Sequence, residues 1–88
     1  MLVQGIIDCL IEDMDGKTVL LDFKTDFVPE GMSETDAENM LIERHVTQLS
    51  YYAAACNTVL GKKVDKVIIY SFALGRTVEI PSERIIKL

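Results

Sequence analysis

The chain has 88 residues, with 14 acidic against 9 basic side chains and a formal net charge of −5. This length fits one small domain or part of one, and a chain of this size buries only about 60–65% of its unfolded surface. Its hydrophobic content of 49% excludes a disordered chain, and no apolar run approaches the roughly 18–20 residues of a membrane span. The acidic balance argues against a stand-alone polyanion binder, which usually presents a basic patch. Without a signal-like N-terminus or a disulfide pattern, we expect a cytoplasmic protein.

Two apolar runs in the first third of the chain predict two strands, over residues 2–12 and 17–25. The runs are nearly continuous rather than alternating, which is typical of strands covered on both faces. Between them, Asp13-Met14-Asp15-Gly16 predicts a hairpin. Asp at the first position and Gly at the fourth favour a type I turn followed by a left-handed glycine and a bulge.

A loop over residues 27–35 precedes a predicted helix from Asp36 to Leu60, which Gly61 ends. Ser33 and Thr35 are both possible N-caps, and Thr35 with Glu38 makes the better capping box. The helix face recurs every three or four residues and comprises Leu41, His45, Gln48, Leu49, Tyr52, Cys56, Val59 and Leu60.

Two further strands are predicted over residues 64–74 and 77–80, the second ended by Pro81. Residues 82–88 form a tail, either one helical turn or an edge strand. The order of hairpin, long helix and hairpin predicts an α/β fold with a mixed sheet. A sheet covered on both faces needs helices on both sides, and this chain supplies one helix, so we expect a partial domain.

Three charged residues lie inside the most apolar strands: Asp8, Asp22 and Lys24. Asp22 and Lys24 are two positions apart and therefore point to the same face of a strand. The predicted turn with its Gly16 bulge places Asp8 directly opposite Asp22, whereas a two-residue Asp15-Gly16 turn would split the two carboxylates between faces.

Two interpretations of these charges remain open at this point. Converging carboxylates repel each other unless a cation lies between them, and oxygen ligands of this kind favour Mg²⁺ or Mn²⁺. A neighbouring lysine could then orient a water or stabilise charge on a phosphate. Alternatively, Asp22 and Lys24 form a buried structural salt bridge and Asp8 lies at the exposed sheet edge.

On the helix, Gln48 and Tyr52 share a face because they are four positions apart. A core tyrosine beside a boundary glutamine would produce the same spacing. For His45, one turn earlier, a solvated or capping role is expected rather than metal ligation.

Taken in order, three motifs resemble the RecB-type nuclease branch of the PD-(D/E)XK restriction-endonuclease-like superfamily. They are Gly5-Ile6-Ile7-Asp8, Leu20-Leu21-Asp22-Phe23-Lys24-Thr25-Asp26 and Gln48-Leu49-Ser50-Tyr51-Tyr52. The family patterns are G-x-x-D, D-Y-K-T and Q-x-x-x-Y, and the chain departs from them by Phe23 for tyrosine. Within this branch the chain is most similar to the C-terminal nuclease domain of helicase–nuclease subunits of bacterial double-strand-break repair.

The resemblance implies a restriction-endonuclease-like sheet and Mg²⁺-dependent DNA hydrolysis, with Mn²⁺ a possible substitute. It implies that Asp8, Asp22 and the Phe23 carbonyl bind the metal, that Lys24 is the catalytic lysine, and that Gln48 and Tyr52 line the site and contact the DNA.

The resemblance also defines what residues 1–88 lack. The family's upstream helix commonly supplies a further metal ligand, and helicase motifs are missing, so no ATP site is expected here. We therefore expect a truncated nuclease core, weak or inactive alone, whose partners are DNA, the upstream segments of a parent chain and a second helicase–nuclease subunit, but no membrane. Self-association of the fragment is a further expectation. The alternatives are a catalytically inactive nuclease-like module used structurally or for DNA-end binding, and a small interaction domain.

Overall fold

The computed structural model describes residues 7–87. The elements in chain order are β1 (Ile7–Glu12), β2 (Thr18–Lys24), α1 (Glu34–Leu60), β3 (Lys66–Ser71), β4 (Arg76–Ile80) and a 3₁₀ turn (Ser82–Arg84). The predicted succession of hairpin, helix and hairpin is confirmed for this part of the chain. The predicted strand residues 2–6 lie outside the described residues.

The four strands form one sheet in the order β1-β2-β3-β4. The β2–β3 pair is parallel, and the β1–β2 and β3–β4 pairs are antiparallel. The sheet is therefore mixed, as the sequence predicts, and α1 makes the parallel crossover that such a pair requires. Strand β3 is shorter than predicted because the chain turns after Ser71, where the Gly75 N–H donates to the Ser71 carbonyl at 2.8 Å.

The β1–β2 hairpin has the predicted turn. Gly16 has a φ of 79°, and its N–H donates to the Asp13 carbonyl at 3.0 Å. The Asp13 N–H donates to the Lys17 carbonyl at 2.9 Å, which closes the ladder at the expected pair. The resulting register aligns Asp8 with Asp22, so the alternative two-residue turn is wrong.

Helix α1 begins at Glu34, two residues earlier than predicted. Its N-cap is Ser33, whose hydroxyl accepts from the Asp36 N–H at 3.1 Å. The preference for Thr35 is therefore wrong, because Thr35 already lies inside the first helical turn. At the other end Gly61 has a φ of 65°, and the N–H groups of Gly61 and Lys62 donate to the last carbonyls of the helix.

The core lies between α1 and one face of the sheet. Its buried cluster comprises Leu20, Leu41, Ile42, Leu49, Val67, Ile69, Val78 and Ile80. The predicted helix face is correct at Leu41 and Leu49 but wrong at its C-terminal end, where Val59 and Leu60 are 78% and 59% exposed. Periodicity alone therefore overestimates the length of the buried stripe, because the last turn of α1 is only partly covered.

The opposite face of the sheet carries an aromatic cluster of Phe23, Tyr70 and Phe72. The Tyr70 and Phe72 ring centroids lie 5.2 Å apart in an edge-to-face arrangement, and Phe23 lies 5.9 Å from Tyr70. Phe72 is 57% exposed. Within the described residues the helix thus covers one side of the sheet only. No helix in residues 7–87 has both the length and the apolar character needed to cross a membrane.

Candidate active site

Strand β2 places a carboxylate and an ammonium group inside the molecule. Asp22 is fully buried and Lys24 is 8% exposed. Both lie on the α1 side of the sheet with Leu20, because alternate strand residues share a face. Lys24 Nζ lies 3.1 Å from Asp22 Oδ2. The prediction that these two side chains converge is confirmed.

The third predicted acidic residue, Asp8, is aligned with Asp22 across the β1–β2 ladder. Directly opposed positions of antiparallel strands lie on the same side of a sheet. The register therefore places positions 8 and 22 on the same side of the sheet, as a site built from both carboxylates requires. The side chain of Asp8 lies outside the part of the structure that is described.

The third motif places Gln48 and Tyr52 in contact on α1. Gln48 Nε2 donates to the Tyr52 hydroxyl at 3.2 Å, and both side chains are partly buried. Tyr52 lines a hollow of about 390 Å³ together with Leu20 of β2 and Leu10 of β1. The Gln48–Tyr52 pair thus lies on the same side of the sheet as Asp22 and Lys24.

A second charged cluster is centred on Asp26, and the sequence patterns do not predict it. Asp26 Oδ2 accepts from Arg44 Nη1 at 2.8 Å, and Asp26 Oδ1 lies 2.9 Å from His45 Nε2. The Asp26 and His45 side chains are 15% and 12% exposed. A solvated or capping role for His45 is therefore wrong, because its ring lies against a carboxylate. No local pattern could have shown this contact, since it joins a loop to a helix 18 to 19 positions later.

Burial and hydrogen bonding act in opposite directions on Asp26. Burial alone would raise the pKa of its carboxyl group, because the charged form loses hydration. The hydrogen bonds from Arg44 and His45 outweigh this effect and hold the pKa of Asp26 below its ordinary value. The folded structure therefore favours the charged form of the Asp26 carboxyl group.

The donor atoms available at Asp22 are those that hard divalent cations use. The Asp22 carboxylate and the Phe23 carbonyl both supply oxygen, which suits Mg²⁺ or Mn²⁺ better than zinc or copper. Among the residues whose side chains are described, no group of three His, Cys, Asp or Glu residues could hold a metal. Asp8, which the register aligns with Asp22, is the nearest further carboxylate along the β1–β2 ladder.

Fold and site together define an α/β domain with a buried aspartate–lysine pair on the central strand β2, beside a helix that carries a glutamine–tyrosine pair. No protein-family model matches the chain. ATP-dependent helicase/nuclease subunits of the AddA type are similar to it. The one from Lachnoclostridium phytofermentans is 47% identical over 81 residues, covering 92% of this chain and 5% of the relative.

Two other relatives of the same type have similar alignments. That of Acetivibrio thermocellus is 45% identical over 76 residues, or 86% of this chain. That of Clostridium novyi is 40% identical over 79 residues, or 90% of this chain. In both, the alignment covers 6% of the relative. The chain thus spans about one-twentieth of the length of the curated relatives it matches.

Proposed function

We propose that this chain is the metal-dependent deoxyribonuclease core of a helicase–nuclease of the AddA type and that it hydrolyses DNA phosphodiester bonds. In this proposal its fold is the restriction-endonuclease-like fold of RecB-type PD-(D/E)XK nucleases. The observation that carries the proposal is the Asp22–Lys24 pair, buried with Nζ and Oδ2 3.1 Å apart on a strand whose register aligns Asp22 with Asp8. The similarity to AddA-type helicase/nuclease subunits supports it.

The energetics of burial favour a functional role for this pair. Removing a carboxylate and an ammonium group from water costs several kcal/mol per ion, and a well-packed apolar pair is often as stable or more stable. Asp22 is fully buried and aligned with the core residue Ile69, and an apolar side chain at this position would avoid this cost. A charged pair here is therefore explained more readily by chemistry than by stability.

Each residue has a defined role in the proposed reaction. Asp8, Asp22 and the Phe23 carbonyl would hold Mg²⁺, with Mn²⁺ as a possible substitute. The bound metal would supply Lewis-acid polarisation of the phosphate and an activated water. The Lys24 ammonium group would stabilise the negative charge that develops on the phosphate in the transition state.

Gln48 and Tyr52 would hold the DNA strand. The Tyr52 oxygen accepts from Gln48 Nε2, which leaves the Tyr52 hydroxyl proton available for a phosphate oxygen. A hydroxyl oriented by a second side chain binds phosphate with less loss of rotational freedom than a mobile one. The pair is therefore suited to positioning the backbone next to Lys24.

The proposed function requires DNA and further protein segments as partners. DNA is the substrate, and the upstream helicase and nuclease segments of a longer chain, together with a second helicase–nuclease subunit, would supply the ATP-driven unwinding and further ligands. The net charge of −5 fits this division, because other parts of the assembly would provide the positive surface for the DNA. We expect slow cleavage by the 88-residue chain alone.

The test is a single-turnover assay with end-labelled DNA and excess protein, with Mg²⁺ or EDTA. We expect slow Mg²⁺-dependent cleavage that is abolished in Asp22→Asn, which keeps the shape of the side chain but removes its charge. Glu43→Gln is the matched control, because Glu43 is exposed on α1. Cleavage that persists in Asp22→Asn, or in EDTA, would show that this site does not carry it.

A second candidate is a catalytically inactive module that binds DNA ends. It is favoured by the Asp22–Lys24 ion pair itself, in which the lysine already neutralises the aspartate without a metal. This candidate predicts DNA binding that is unchanged by EDTA and by Asp22→Asn, with no cleavage under any metal condition.

A further inference from the structure

A single ionic cluster joins the two segments that carry the proposed nuclease site. Asp26 follows Lys24 by two positions, in the loop that leaves β2. Arg44 and His45 lie on α1, four and three positions before Gln48, and residues at these spacings lie on neighbouring parts of a helix surface. The Asp26 cluster thus links the end of the lysine strand to the helical turn that precedes Gln48.

Apart from Asp26, the segment between β2 and α1 offers little that could fix the position of Lys24 relative to Gln48. Residues 25–33 contain no regular helix or strand, and Phe27 within them is 77% exposed. Asp26, in contrast, is only 15% exposed and makes both of its contacts to α1 at 2.8–2.9 Å. It is therefore an anchored point in an otherwise irregular connection.

We propose that Asp26 is a positioning residue, which sets the location of Lys24 relative to Gln48 and Tyr52 through its bonds to His45 and Arg44. This inference rests on the proposed nuclease function. Asp26 does not itself need to touch metal or DNA. Its removal would let the end of β2 move against α1, and misplacement of catalytic groups by about 1 Å can cost roughly 100-fold in rate.

The two contacts of Asp26 differ in solvent exposure. This difference predicts that His45 and Arg44 contribute unequally to positioning. His45 is 12% exposed and Arg44 is 48% exposed. Solvent weakens an exposed ion pair far more than a shielded one. His45 should therefore contribute more to positioning than Arg44. Since the contact is made by Nε2, Gln at position 45 can supply an amide N–H at similar reach, whereas Leu cannot.

The first experiment measures single-turnover cleavage across protein concentrations, which separates the maximal rate from the half-saturating concentration. For Asp26→Ala and His45→Leu we expect a maximal rate lower by about 10- to 100-fold, with half-saturation changed less than about threefold. Arg44→Leu should be affected less, and His45→Gln should recover most of the rate. Ser33→Ala is the control, because it weakens α1 at its N-cap without touching the cluster.

The second experiment needs no catalysis. In ¹⁵N-labelled protein, the Gln48 side-chain amide signal, assigned by its loss in Gln48→Leu, should shift in Asp26→Ala and His45→Leu but not in Ser33→Ala. A wild-type chain that neither cleaves DNA nor binds Mn²⁺ would refute the proposed function, and the Gln48 signal would still decide the positioning inference. An unchanged Gln48 signal in Asp26→Ala, or a rate loss that Ser33→Ala reproduces at equal thermal stability, would overturn the inference.

Discussion

Asp22 and Lys24 show how a single strand can bring opposite charges into a protein core. The alternation of β2 directs both side chains to the α1 side, where Asp22 is fully buried and Lys24 nearly so. Their 3.1 Å contact lets each charge compensate the other. Because breaking a buried ion pair leaves one uncompensated charge, removal of either partner costs roughly 3–5 kcal/mol.

In the proposed reaction, replacing Lys24 should affect catalysis and metal binding differently. We expect Lys24→Met to lower the single-turnover cleavage rate by about 100-fold or more, because transition-state charge loses its partner. Mn²⁺ affinity should stay the same or rise, since the ammonium group no longer competes for Asp22. Lys62→Met, at an exposed lysine, is the control. Cleavage at the wild-type rate in folded Lys24→Met would refute the role of Lys24.

The lowered pKa of Asp26 determines how the free energy of unfolding changes at acid pH. The pKa is lower in the folded chain than its ordinary value of 3.8, so the charged form stabilises the fold above that value. This contribution is lost as the pH falls through the lower, folded pKa. In urea unfolding, the stability difference between wild type and Asp26→Asn should therefore shrink as the pH falls from about 5 towards 2. A difference that stays constant or grows would contradict the assignment.

The sequence predicts the Asp22–Lys24 contact but not the Asp26–His45 contact, for a physical reason. The first pair is separated by two residues, so strand periodicity alone fixes its geometry. The second joins a loop to a helix, and its formation depends on how α1 packs on the sheet. The helix periodicity places His45 near the buried face without indicating which group it meets.

At the scale of elements, the ends of α1 are set by local chemistry. Two hydroxyl residues compete for the N-cap, and the structure selects Ser33, whose Oγ accepts from the Asp36 N–H. Both candidates precede an acidic residue by three positions, so the sequence pattern could not separate them. The selection depends on where the loop over residues 25–33, which leaves β2, brings the chain into α1.

This N-cap assignment can be tested with two matched substitutions. Ser33→Ala should lower the free energy of unfolding by about 1 kcal/mol, because an amide at the helix start loses its acceptor. Thr35→Ala, inside the first turn, should change it by less than about 0.5 kcal/mol. Urea unfolding followed by circular dichroism measures both. A larger loss of unfolding free energy in Thr35→Ala than in Ser33→Ala would instead support the capping box of Thr35 and Glu38.

The β1–β2 hairpin is predictable in more detail than any other element. The turn sequence Asp13-Met14-Asp15-Gly16 specifies both the left-handed glycine and the register, and the register aligns Asp8 with Asp22. In contrast, the length of the buried stripe on α1 depends on how far the sheet extends beneath it. This is why helical periodicity wrongly places Val59 and Leu60 in the core.

At the scale of the whole molecule, α1 covers only one side of the described sheet, and the uncovered surfaces favour self-association. The described edge strand β1 exposes Leu10 and Ile11, at 36% and 47%, and the aromatic face exposes Phe72. Exposed edges and apolar faces promote pairing between chains. In light scattering we expect an average mass above that of the monomer at high protein concentration, and a lower mass in Phe72→Lys. A clean monomer at the same concentration would contradict this.

Metal binding through Asp22 is the central claim of the proposed function, and calorimetric titration with Mn²⁺ tests it most directly. We expect saturable binding to the wild-type chain, loss of binding in Asp22→Ala, and retention in Glu43→Ala, which removes an equal but exposed charge. Circular dichroism would verify that both variants remain folded. No binding at millimolar Mn²⁺, or equal binding by Asp22→Ala and wild type, would contradict the account.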